Sequence, residues 1–84
     1  MAEEILHKKV TKRRKLNFRD KLLADKIRWY RRDRDLTQEQ LAEKSRISCI
    51  YIIAIENYNR GVSLPILYKL SRVFKIKVKD LFDF

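Results

Sequence analysis

The sequence predicts an all-α fold, a compact bundle of five short helices behind a basic N-terminal arm. Three observations predict it. One glycine and one proline in 84 residues leave few positions for the tight turns of a β-sandwich or barrel. Apolar residues recur at three- and four-residue spacing rather than alternately. Asn17, Thr37, Ser48 and Ser63 each stand just ahead of such a stretch, where a short polar side chain satisfies the first free N–H groups of a helix.

Hydrophobic residues make up 45% of the chain, enough for one core. A chain of this length buries about 60–65% of its extended surface, which excludes most large catalytic architectures. We expect residues 1–16 to form the arm and residues 17–84 the domain.

The elements follow in order. Asn17 caps helix 1, with Asp20 three residues on and Phe18, Leu22, Leu23, Ile27 and Tyr30 on one broad face to about Arg34. Thr37 caps helix 2, with Gln40 placed to reach back in a capping box, and the helix ends near Ser45. Ser48 caps helix 3 after a three-residue connection; Ile52 and Ile55, with Ile47 ahead of them, face inward. Tyr58 to Val62 holds the only Gly among polar residues and reads as a loop. Ser63 caps helix 4, Pro65 sits in its first turn, and Leu67, Leu70, Val73 and Phe74 form its buried stripe. Helix 5 covers about Val78 to Phe82 and contributes Leu81 and Phe82 to the core.

Charge points to a partner. Twenty-one Lys and Arg against eleven Asp and Glu give +10, an excess that opposes compaction and describes what the surface meets. The arm carries Lys8, Lys9, Lys12, Arg13, Arg14 and Lys15 against Glu3 and Glu4, net +4, which leaves +6 on Asn17 to Phe84. Such a run adds affinity for a polyanion through counterion release, and Lys12, Arg13 and Arg14 are its candidate contacts. Attachment to a membrane surface lacks a sustained apolar face.

Other classes recede. Cys49 and His7 are each the only residue of their kind, so neither an intrachain disulfide nor a zinc site is expected. No nucleophile and base share a site and no Gly-rich phosphate loop is present, so neither an enzyme nor a cofactor is expected. The longest apolar run, Cys49 to Ile55, is far below the roughly 20 residues that span a bilayer. With no signal pattern in Met1 to Val10, a cytoplasmic location is expected.

Two short helices joined by about three residues cross at a steep angle, the helix-turn-helix arrangement. Here Leu36-Thr37-Gln38-Glu39-Gln40-Leu41-Ala42-Glu43-Lys44, then Ile47-Ser48, Tyr51-Ile52 and Ile55-Glu56-Asn57 resemble the Cro/C1 (XRE) family of repressors over about 60 positions, Leu23 to Phe82. The resemblance implies a lambda-repressor-like bundle that puts its third helix in the major groove, usually as a dimer. It also implies an ion pair between Arg31 and Glu56, and phosphate contacts from Gln38 at the start of helix 2 and from Asn59 and Arg60 after helix 3.

Base contact would fall to the outer face of helix 3, namely Ser48, Cys49, Ile50, Tyr51, Ile53 and Ala54. At several of these positions the family commonly carries Gln, Ser, Lys or Arg, whereas Cys49, Ile50, Ile53 and Ala54 cannot hydrogen-bond a purine through two atoms. Weak or A·T-biased readout through thymine methyl groups follows. Alternatively the apolar face holds a protein, as in an antitoxin or anti-repressor, or one isoleucine is covered within the monomer. Two further departures lie in the backbone, where Arg46 and Tyr58 occupy positions at which relatives often have Gly. Trp29, Phe82 and Phe84 suggest a weak homodimer. The leading expectation is a double-stranded-DNA-binding transcriptional regulator of the repressor type.

Overall fold

The computed structural model describes residues 17–84; Lys12, Arg13, Arg14 and the rest of the arm lie outside them. Helix α1 spans Phe18–Asp33, α2 Gln38–Ser45, α3 Cys49–Glu56 and α4 Leu64–Phe74. The fifth element, Val78–Phe82, is a 3-10 helix rather than an α-helix. Five residues bounded by Lys77 and Asp83 give too few turns for regular α hydrogen bonding.

Caps set the starts. The Asn17 side chain accepts from the Asp20 N–H at 2.8 Å while Asp20 accepts from the Asn17 N–H at 3.3 Å. Thr37 and Gln40 repeat the exchange at 3.0 and 2.8 Å. Ser48 Oγ accepts from Tyr51 N–H at 3.1 Å. Ser63 stands at the start of α4 but makes no side-chain cap bond. Pro65, the second residue of that helix, lacks one of the two N–H groups that a capping oxygen would reach.

The core sits where the four helices and the 3-10 helix converge. Leu23, Ala24 and Ile27 of α1, Leu41 of α2, Ile52 and Ile55 of α3, Leu67, Leu70 and Phe74 of α4, and Leu81 are all buried, with Ile47 of the connection. Two aromatic residues depart from the sequence expectation. Phe18 is 73% exposed, because nine residues at 3.6 per turn set it about half a turn from Ile27. Phe82 is 48% exposed while Leu81 is fully enclosed. At about three residues per turn, the 3-10 helix puts Val78 and Leu81 on one side and swings Phe82 off it.

Left-handed backbone closes several segments. Asp35, Arg46, Tyr58 and Lys75 have φ between 55° and 62°, and the lone Gly61 is not among the positive-φ residues. Arg46, at φ 62°, ends α2 and donates its N–H to Ala42 C=O at 2.8 Å; the Ile47 N–H reaches the same carbonyl at 3.2 Å. That turn delivers buried Ile47 to the core and Ser48 to the start of α3. At the opposite end of the bundle, Arg34 donates from Nε and Nη2 to Phe74 C=O at 3.2 and 2.8 Å, clasping the ends of α1 and α4.

Candidate nucleic-acid interface

Helix α3 has two unlike sides. Ile52, Ile55 and Glu56 are buried, whereas Ile50 is 80% exposed and Ile53 37%. Cys49, Tyr51 and Ala54 lie between these extremes, and Ser48 is exposed. Among the described residues nothing encloses Ile50.

A buried carboxylate fixes α3 against its neighbours. Arg31 donates to Glu56 through Nε at 2.7 Å and Nη2 at 2.8 Å, and its Nη1 donates to Leu36 C=O at 2.8 Å. Gln38 Nε2 donates to Glu56 Oε1 at 3.0 Å. Arg28 adds a hydrogen bond to the Glu56 carbonyl oxygen and approaches its carboxylate at 3.8 Å. Burial pushes the Glu56 carboxyl up, but hydrogen bonds from Arg31 and Gln38 and the charges of Arg31 and Arg28 outweigh it, so its pKa lies below the ordinary value. The hydrogen bond to Glu56 raises Arg31 further against desolvation. A bidentate pair of this kind holds the angle between α1 and α3.

Gln38 joins this cluster at the start of α2. One N–H of its amide serves Glu56, and the backbone N–H groups and helix dipole there add anion-binding capacity beside it. Beyond α3, Asn59 and Arg60 are exposed. The Arg60 guanidinium lies 4.3 Å over the Tyr51 ring, so the cation is held beside the outward face. Tyr58 donates to the Asp25 carboxylate, which raises the phenol's pKa, and Arg28 lies 5.7 Å over its ring. Lys44 and Arg46 are exposed at the turn before α3, and Glu39 and Glu43 are exposed on α2.

Sequence reasoning missed Arg28 and the bond between Tyr58 and Asp25. The signal for Arg28 was available, since it lies one turn before Arg31 on the same side of α1. Nothing local links Asp25 to Tyr58, 33 positions apart.

A second apolar surface lies away from α3. Leu22, Trp29, Tyr30 and Phe84 line one groove, Trp29 meets Tyr30 edge-on at 5.1 Å, and Phe82 lies 6.4 Å from Phe84. Among the described residues no helix is long and apolar enough to cross a membrane, and no group of His, Cys, Asp or Glu is placed to hold a metal ion.

Two short helices joined by a left-handed turn, the second exposing one side from an all-helical body, define a helix-turn-helix domain. The helix-turn-helix family model matches residues 27–81, and the chain belongs to that family, in its Cro/C1 (XRE) branch. It is 38% identical over 60 residues to the uncharacterized HTH-type transcriptional regulator MJ0272 of Methanocaldococcus jannaschii, covering 71% of this chain and 91% of that one. The restriction-modification controller protein C.AhdI of Aeromonas hydrophila superposes with a TM-score of 0.72 at 30% identity, covering 75% of this chain and 96% of that one. The controller protein C.Esp1396I, a tetramer in complex with its natural 35 base-pair operator, superposes with a TM-score of 0.74 at 25% identity, covering 81% and 90%.

Proposed function

We propose that the protein is a DNA-binding transcriptional regulator of the repressor type, acting in the cytoplasm as a weak homodimer and inserting α3 in the major groove. The observation that carries this reading is the outward side of α3, set at a fixed angle by the buried Glu56 cluster and flanked by exposed Lys44, Arg46 and Arg60. Its likeness to a controller protein that sits on operator DNA supports the same reading.

Contacts divide by role. Asn59, Arg60, Gln38 with the N–H groups at the start of α2, and Lys12, Arg13 and Arg14 of the arm set position on phosphates. Ser48, Cys49, Ile50, Tyr51, Ile53 and Ala54 meet the bases. Phosphate contacts supply affinity and register, while base edges supply sequence preference.

Binding to duplex DNA, followed by fluorescence anisotropy across a range of salt concentrations, tests the reading. About eight phosphate contacts give a log–log slope of roughly −7. A flat profile counts against it.

The 80% exposure of Ile50 also favours a second reading, a module of the antitoxin or anti-repressor kind that holds a protein on α3. Ile50→Asp and Ile53→Asp separate the two. Loss of a co-purifying protein with duplex binding retained supports the second; loss of duplex binding with no such protein supports the first.

A further inference from the structure

The outward side of α3 offers a narrow chemistry. Glu56 is the only charged residue of Cys49–Glu56, and it is turned inward to Arg31 and Gln38. What remains outside is Ile50, Ile53, Ala54 and the half-buried Cys49. The Tyr51 ring is covered by Arg60 and the Ser48 hydroxyl oxygen accepts from the Tyr51 N–H, which leaves each of them a single O–H to offer a base. Asn57, exposed, caps only the far end. No Arg, Lys, Asn or Gln stands on α3 itself, so the helix cannot make the forked bonds that identify guanine or adenine.

In the major groove one base-borne group suits such a surface, the methyl on C5 of thymine. The same methyl at the same place distinguishes 5-methylcytosine from cytosine. Isoleucine is branched at Cβ and stiff about its first side-chain torsion, so Ile50 and Ile53 present fixed methyl-sized contacts. Lys44, Arg46 and Arg60 around them, and the +6 carried by residues 17–84, suit a polyanion better than an apolar protein surface.

Resting on the duplex-binding reading above, we propose that α3 reads C5-methyl groups of pyrimidines, with Ile50 and Ile53 as its specificity-determining residues. Thymine and 5-methylcytosine then both carry the recognised group, and uracil and unmodified cytosine both lack it. Cytosine methylation within a site thus raises affinity instead of leaving it unchanged.

The test uses the full chain and the duplex it selects from a random library. That duplex is compared with a copy in which deoxyuridine replaces thymidine, and with copies carrying cytosine or 5-methylcytosine at the thymine positions. Each contacted methyl group changes affinity by about fourfold, so two give a loss of roughly 15-fold on going to uracil. Methylating the cytosine copy recovers a comparable factor. Ile50→Ala with Ile53→Ala narrows both differences, while circular dichroism shows the helices retained.

Equal binding of the thymine and uracil duplexes, with the selected sequence still preferred over a scrambled one, overturns the proposal while DNA binding stands. Absence of binding to any duplex, with a protein released by Ile50→Asp, overturns both.

Discussion

Arg31 and Glu56, 25 positions apart, form a bidentate ion pair at 2.7 and 2.8 Å, with the Glu56 side chain 2% exposed. Removing one partner leaves the other charge buried without compensation, the costly way to break such a pair. Glu56→Gln is expected to lower stability by about 3 kcal/mol. Urea denaturation measures this, and a loss below about 1 kcal/mol would assign the pair the weight of a surface contact.

The same carboxylate sets an acid limit. Its pKa is lowered in the folded chain, so the unfolded chain takes up the proton more readily. The stabilisation is fully present above the unfolded value of about 4.3 and is lost as pH falls through the folded value. Melting temperatures followed from neutral pH down into the acid range should show this decline, with a smaller decline in Glu56→Gln.

Arg46 and Lys75 hold left-handed backbone at φ 62° and 60°. A Cβ in that region costs about 1–2 kcal/mol, partly offset by the larger unfolded-state freedom of glycine, so Arg46→Gly and Lys75→Gly should each gain roughly 0.5 kcal/mol. Tyr58→Gly should gain nothing, because it also removes the bond to Asp25 and the packing against Arg28. Denaturation of the three variants side by side provides the comparison.

The arm's share in binding is separable from its share in the net charge. Replacing Lys12, Arg13 and Arg14 with alanine should reduce the salt slope of duplex binding by about 3, close to 0.9 for each phosphate that is no longer neutralised. An unchanged slope would place these three cations off the duplex.

Self-association is expected to depend on the C-terminal aromatic residues. Phe82 and Phe84 are about half exposed, so Phe82→Glu with Phe84→Glu should leave the helices folded while moving the sedimenting species toward the 10.3 kDa monomer. Circular dichroism on the same sample checks the fold.

Much of the bundle was legible because its signals are local. Asn17, Thr37 and Ser48 cap within three residues, and the inward positions of α3 repeat at helical spacing. The misplacements came where local pattern is silent about direction. Phe18 and Phe82 look like core residues until the phase of a helix or the tighter 3-10 winding is known. For Gln38 at the start of α2, the bond to Glu56, 18 positions later, had no local signal. In the candidate site the chemistry of α3 could be read from residue types, whereas the stacking of Arg60 on Tyr51 depends on a loop whose path no periodicity encodes.

The eight residues of α3 assign stability and recognition to different members. Ile52, Ile55 and Glu56 belong to the interior, Ile50 stands almost wholly outside it, and Ile53 is partly covered. Sequence drift at position 50 is thus nearly neutral for folding, and one scaffold can diverge into proteins with different targets without first acquiring compensating changes elsewhere.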